Sequence, residues 1–80
     1  MRGRDIFLAI KNKRLIKLRK AREITQLDVA KAVGLKQRTI SAYENGTRTP
    51  KPSTMKKIAK FYGVSVLYIF FEEETEGIEN

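Results

Sequence analysis

Eighty residues carry 17 lysines and arginines against nine acids, a formal charge of +8, with neither cysteine nor histidine; that is one small domain with no room for a second core. The missing cysteines exclude a disulfide framework and a thiol nucleophile, and without histidine the commonest general base and most metal ligation go as well, so no enzyme, metal or cofactor is expected. No apolar run approaches the roughly 20 residues of a membrane span and the start of the chain lacks a signal-peptide core, so a soluble cytoplasmic protein is expected.

The charge is unevenly laid out. All 17 cations lie within residues 1 to 60; before Glu72 they face four acids, a net +13, and after Phe71 come five acids and no cation. A body this cationic suits a polyanion, either nucleic acid or an acidic membrane surface.

In chain order, residues 5 to 22 read as one long helix, with Asp5 as its N-cap and Ile6, Ile10, Leu15 and Leu18 among its apolar positions. Ile6, Phe7 and Ile10 cover the edge of the core or meet a partner chain. The basic amphipathic stretch 11 to 22 has the pattern of a membrane-surface or groove-docking helix, but Leu15 and Leu18 are needed inside. Next, Thr25 is a good N-cap, and Val29, Ala30 and Val33 put one apolar stripe on a second helix that Gly34 ends. A third helix starts near Gln37, buries Ile40 and Tyr43, and stops at Asn45-Gly46.

Helix, tight turn, helix is the organising stretch of the chain. The turn calls for positive φ at Gly34, and a crossing second helix calls for a small side chain at Ala30. Any two amphipathic helices with a glycine between would share the periodicity; the full spacing of Val29, Ala30, Val33, Gly34, Leu35, Ile40 and Tyr43 is more specific. With Ile40 at the centre of the buried side and about 100° per residue, Arg38, Ser41, Ala42 and Asn45 point outward, and Gln37 projects from the first turn.

A polar connector, residues 47 to 53, is stiffened by Pro50 and Pro52, and Pro52 suits a first helical position. Met55, Ile58, Ala59 and Tyr62 then recur at helical spacing up to Gly63. Ser65 caps a last short helix whose Val66, Ile69 and Phe70 face inward. Residues 72 to 80 read as a solvated acidic tail, leaving residues 1 to 71 as the domain.

These residues resemble the phage repressor and Cro-type helix-turn-helix regulators, the xenobiotic-response-element family. Arg14-Leu15 and Leu18-Arg19 look like its first helix, Thr25-Gln26 its second-helix start, and Tyr43-Glu44-Asn45-Gly46 the end of its recognition helix. Pro50, the run 54 to 60, Gly63-Val64-Ser65 and Ile69-Phe70 resemble its fourth and fifth helices, so the likeness covers about residues 14 to 70. It implies an all-α, compact five-helix fold like that of lambda repressor, with the helix-turn-helix at helices 2 and 3. It also implies a largely buried salt bridge between Arg19 and Glu44, and a Gln26 that bridges a phosphate and the side chain of Gln37. Glu23 stands where the family often has glycine, which implies a differently shaped turn.

On this reading the partner is double-stranded DNA and the function is transcriptional regulation, most simply repression by occupying an operator. Gln37, Arg38 and Ser41 in the recognition helix, residues 37 to 45, are the base readers, since glutamine matches adenine and arginine guanine in the major groove. Gln26, Lys36, Thr39, Asn45, Thr47 and Arg48 are backbone contacts. Leu67, Tyr68 and Phe71 are apolar where an inward role is already filled, and the family commonly has polar side chains at the first two. They suggest a two-fold homodimer on a palindromic operator, or a surface for another protein. Two alternatives stand beside this reading: an antitoxin that also binds a toxin, and a basic protein-interaction or membrane-surface module.

Overall fold

The computed structural model describes residues 11–71. Five helical elements follow one another without a strand among the described residues: α1 (Lys13–Ala21), α2 (Gln26–Val33), α3 (Gln37–Asn45), α4 (Pro52–Tyr62) and a single π-helical turn, α5 (Leu67–Phe71). The expected Asp5 cap, the apolar Ile6, Phe7 and Ile10 and the acidic tail lie outside the described residues.

The first helix differs from expectation. Rather than running through from residue 5, α1 begins at Lys13, because Asn12 takes an extended conformation and caps it, its side chain accepting the backbone N–H of Leu15 at 3.0 Å. Two long-range bonds hold Asn12 there. Its backbone N–H donates to the carbonyl of Glu44 at 2.9 Å and its side-chain amide donates to the carbonyl of Ile69 at 3.2 Å. One residue thus ties the start of α1 to the end of α3 and the middle of α5, a role no local pattern announces.

Each later boundary has a chemical cause. Thr25 and Asp28 form a reciprocal capping box at the start of α2, with bonds of 3.0 and 2.8 Å. Gly34 (φ 75°) closes α2, and the N–H of Leu35 reaches back to the carbonyl of Ala30 at 2.8 Å. Pro52 opens α4 at its first position. The Ser65 hydroxyl accepts the N–H of Tyr68 at 3.0 Å and so starts α5.

Glu23 takes φ 57° itself. The turn after α1 therefore keeps the left-handed residue that a glycine would supply at less cost, and Ile24 is delivered against the core just as a glycine turn would deliver it.

The core lies between α2, α3 and α4. Val29, Ala30 and Ile58 are each 1 % exposed, with Leu15, Ile40, Tyr43, Ala59, Tyr62 and Ile69 around them. Burying Val29 or Ile58 contributes about 1.5–3 kcal/mol each. Ala30 is enclosed in this core, and a larger side chain there would have to displace its neighbours. Val66, just before α5, and Phe70 within it cover one edge of the core while Leu18 and Ile24 cover it from the α1 side.

Candidate nucleic-acid interface

The α2–turn–α3 unit sets one flank of α3 outward. Ile40, Tyr43 and Glu44 are buried, whereas Gln37, Arg38 and Asn45 are exposed and Thr39, Ser41 and Ala42 are half-buried. Because Lys36 lacks a side-chain cap and α3 has no acid in its first turn, the leading N–H groups of α3 keep their positive end unneutralised. Anionic oxygen is favoured there.

Behind that flank runs a chain of polar contacts. Arg19 clasps Glu44 with both ends of its fork, Nε to Oε2 at 2.7 Å and Nη2 to Oε1 at 3.1 Å, and its Nη1 donates to the carbonyl of Ile24 at 3.0 Å. Glu44 is only 3 % exposed, while the Arg19 side chain keeps 15 % of its surface in solvent. The hydrogen bond to Glu44 holds the Arg19 guanidinium above its ordinary pKa against the opposing effect of burial. Beside it, burial pushes the Tyr62 phenol up to about 12, with the Glu44 charge adding to the effect. The Gln26 amide N–H donates to Glu44 Oε1 at 3.1 Å, and the Gln37 amide N–H donates to Gln26 Oε1 at 3.3 Å. Four side chains from three helices thus connect a buried ion pair to an exposed glutamine.

The remaining sequence-derived positions fall into distinct groups. Arg38, Lys36 and Arg48 are exposed, and their side chains have no hydrogen-bond or ion-pair partner among the described residues. Ser41 and Asn45 are tied to each other, Asn45 Nδ2 donating to Ser41 Oγ at 3.3 Å. Thr47 is exposed, and its hydroxyl donates to the carbonyl of Ala42 at 3.3 Å, fixing the chain just past Gly46. Asp28, at the cap of α2, is held below its ordinary pKa by the backbone N–H of Thr25. Leu67 and Phe71 are 57 % and 61 % exposed. Tyr68 is less open: the Arg14 guanidinium lies 4.3 Å from its ring centroid and donates to its carbonyl at 2.7 Å.

Sequence reasoning missed two structural cations. Arg14 braces α5, and Arg22 donates to the carbonyls of Phe61 and Tyr62 at 3.0 and 2.8 Å, capping the C-terminal end of α4 and neutralising its negative pole. Both belong to the basic stretch 11 to 22, whose local pattern only announced charge. A hollow of about 520 Å³ between the ends of α2 and α4 is lined by Lys31, Val33, Gly34, Lys57, Lys60 and Phe61 and contains none of the outward side chains of α3. Among the described residues no group of His, Cys, Asp or Glu could hold a metal ion, and no helix is long and apolar enough to cross a membrane.

Comparison with known proteins agrees with this geometry. A helix-turn-helix family model matches residues 15–69. The chain is 43 % identical over 58 residues to the transcriptional repressor RstR of the cryptic phage CTXphi from Vibrio cholerae, covering 72 % of this chain and 52 % of that one. It is 43 % identical over 53 residues to an HTH-type transcriptional regulator of Methanocaldococcus jannaschii, covering 66 % and 80 % of the two chains. It is 34 % identical over 62 residues to the antitoxin PezA of Streptococcus pneumoniae, covering 78 % and 39 %. The chain thus spans about half of the RstR repressor and less of PezA. With more than half of its length matched by the family model, and with two helices packed together around a left-handed Gly34, the chain belongs to the helix-turn-helix family of the phage-repressor and Cro type.

Proposed function

We propose that this chain is a sequence-specific DNA-binding transcriptional regulator of the cytoplasm, without enzymatic activity, that represses by occupying an operator. The observation that carries the reading is the outer flank of α3. Gln37 is held by Gln26 and Arg38 stands beside it without a protein partner among the described residues, on a helix anchored from behind by Arg19 and Glu44. Gln37, Arg38 and Ser41 read base edges in the major groove, with about 1–3 kcal/mol of discrimination for each good bidentate pair. Gln26, Lys36, Thr39, Asn45, Thr47 and Arg48 hold the phosphates on either side and set register. That the relative RstR is a phage repressor supports repression over activation.

The exposed Leu67 and Phe71, four apart on α5 and so turned the same way, support a two-fold dimer. Its two recognition helices would then sit about 34 Å apart, one turn of duplex, on a palindromic operator. An antitoxin that also binds a toxin is the second reading, favoured by the likeness to PezA and by the same exposed pair. A partner protein copurifying on coexpression, and lost with Leu67→Ser and Phe71→Ser, would select it.

The test is a titration of random-sequence and selected duplexes over a range of salt. Affinity falls linearly on a log–log plot with a slope of about −0.9 per neutralised phosphate. Arg48→Ala weakens every duplex alike. Binding that ignores both salt and sequence would overturn the proposal and favour a protein-interaction module.

A further inference from the structure

We infer that Glu44, buried and out of reach of any ligand, is a positioning residue for base selection: through Gln26 it sets which way round the Gln37 amide faces, and thereby selects adenine. The inference rests on the DNA-reading proposal above and extends it to a residue that touches no base.

The argument is one of donors and acceptors. A carboxylate gripped bidentately by a guanidinium can only accept. Glu44 Oε1 lies 3.1 Å from the Gln26 amide, so Gln26 must turn its NH2 group toward it and its carbonyl oxygen away. That oxygen is the atom that meets Gln37, at 3.3 Å, and it too can only accept. Gln37 must therefore turn its own NH2 group inward, giving one N–H to Gln26. Its carbonyl oxygen and second N–H are left for a ligand. The exposed edge of Gln37 thus carries an acceptor beside a donor, the complement of adenine's N6 donor and N7 acceptor. Guanine presents two acceptors in the same place, and the carbonyl oxygen of Gln37 would be set against one of them. An unrestrained glutamine could swing its NH2 group to either base; the relay removes that choice. The anchor is held because each of the three guanidinium nitrogens of Arg19 makes a bond, two to Glu44 and one to the carbonyl of Ile24.

The test has an arm without DNA and an arm with it, both on the full chain. Gln26→Met keeps the shape of the side chain and removes the relay while leaving the Arg19–Glu44 pair intact, so the fold survives. In the free protein, the side-chain amide protons of Gln37 should be dispersed and protected in the wild type and move to solvent-exposed values in Gln26→Met. With duplexes differing only at the adenine position of the site selected from a random pool, the preference for adenine over guanine should fall about tenfold in Gln26→Met. Preference at the base pair read by Arg38 should stay unchanged, even though loss of the Gln26 phosphate contact weakens all sequences together. Glu44→Gln, whose amide can donate to Gln26 and let it flip, should blur the same preference, and melting measured alongside shows whether it is folded. Gln37 amide protons that do not move in Gln26→Met overturn the relay. A wild type whose Gln37 amide is ordered but whose selected site has no adenine preference at any position overturns the link to base selection, and with it the assignment of Gln37 as a reader.

Discussion

Helices α1 and α3 are the same length, nine residues, and both are rich in polar side chains, yet they use them in opposite directions. The arginines of α1 and its cap all face protein: Arg14 grips α5, Arg19 grips Glu44, and Arg22 caps α4. On α3 and its flanks, the side chains of Lys36, Arg38 and Arg48 are exposed with no partner among the described residues. The lesson is that net charge overstates what a polyanion meets. Part of the +13 of the body is built into the framework, and on the function proposed above the unpaired cations beside α3 are the ones that meet the polyanion. Lysine follows the second pattern even on α1, where Lys13, Lys17 and Lys20 are exposed on the side opposite Leu15.

The comparison can be broken most forcefully at its buried end. Arg19→Met strands the Glu44 carboxylate and should cost about 3–5 kcal/mol. That is enough to lower the melting temperature by roughly 15–30 °C or to unfold a domain of this size; an unchanged melting temperature would contradict the framework role of α1. The same buried region should also be visible in alkali. Because the folded state holds the Tyr62 phenol protonated up to about 12, against an ordinary value near 10, stability is intact below pH 10. It should then drain away by on the order of 2 kcal/mol as pH rises through 12. Tyr62→Phe should lose that part of the pH dependence in denaturant titrations between pH 9 and 12.

Arg22→Ala should cost about 1–2 kcal/mol through the end of α4, whereas Lys20→Ala, two residues away on the solvent side, should stay within about 0.5 kcal/mol. Equal effects in urea unfolding would mean that the partnered and unpartnered cations are not distinct. The smallest effect sharpens the picture in the favourable direction. Glu23→Gly relieves a left-handed residue at φ 57° and should stabilise by about 0.5–1 kcal/mol, the strain gained back less the extra chain entropy of glycine.

Much of this was legible before any coordinates because the causes were local. A threonine before an apolar stripe, a glycine after it and a proline at a first helical position each act within four residues, so the bounds of α2, α3 and α4 follow from reading along the chain. The buried Ile40, Tyr43 and Glu44 and the exposed Arg38 and Asn45 of α3 follow from periodicity alone, whereas Ser41 and Ala42, expected outward, are half-buried. What was not legible depended on residues far apart. Asn12 interrupts a stretch that otherwise reads as helix because it bonds Ile69, 57 positions on, and Arg22 is committed to carbonyls 39 and 40 positions away. The family likeness supplied the Arg19–Glu44 and Gln26–Gln37 pairs, but not the 3.1 Å bond from Gln26 to Glu44 that joins them into one chain. Tyr68 looked as open as its neighbours until Arg14 was found across its ring.

The central claim is that the outer flank of α3 reads bases while α1 and the buried ion pair only hold it in place. Selecting bound duplexes from a random pool with the wild type and with Arg38→Ala, at matched salt and with melting recorded for both, tests this most directly. The account predicts a defined and palindromic site for the wild type. For Arg38→Ala it predicts the same site with information lost at one base pair of each half, at unchanged melting temperature. An identical site from both proteins, or no site from either, would contradict it.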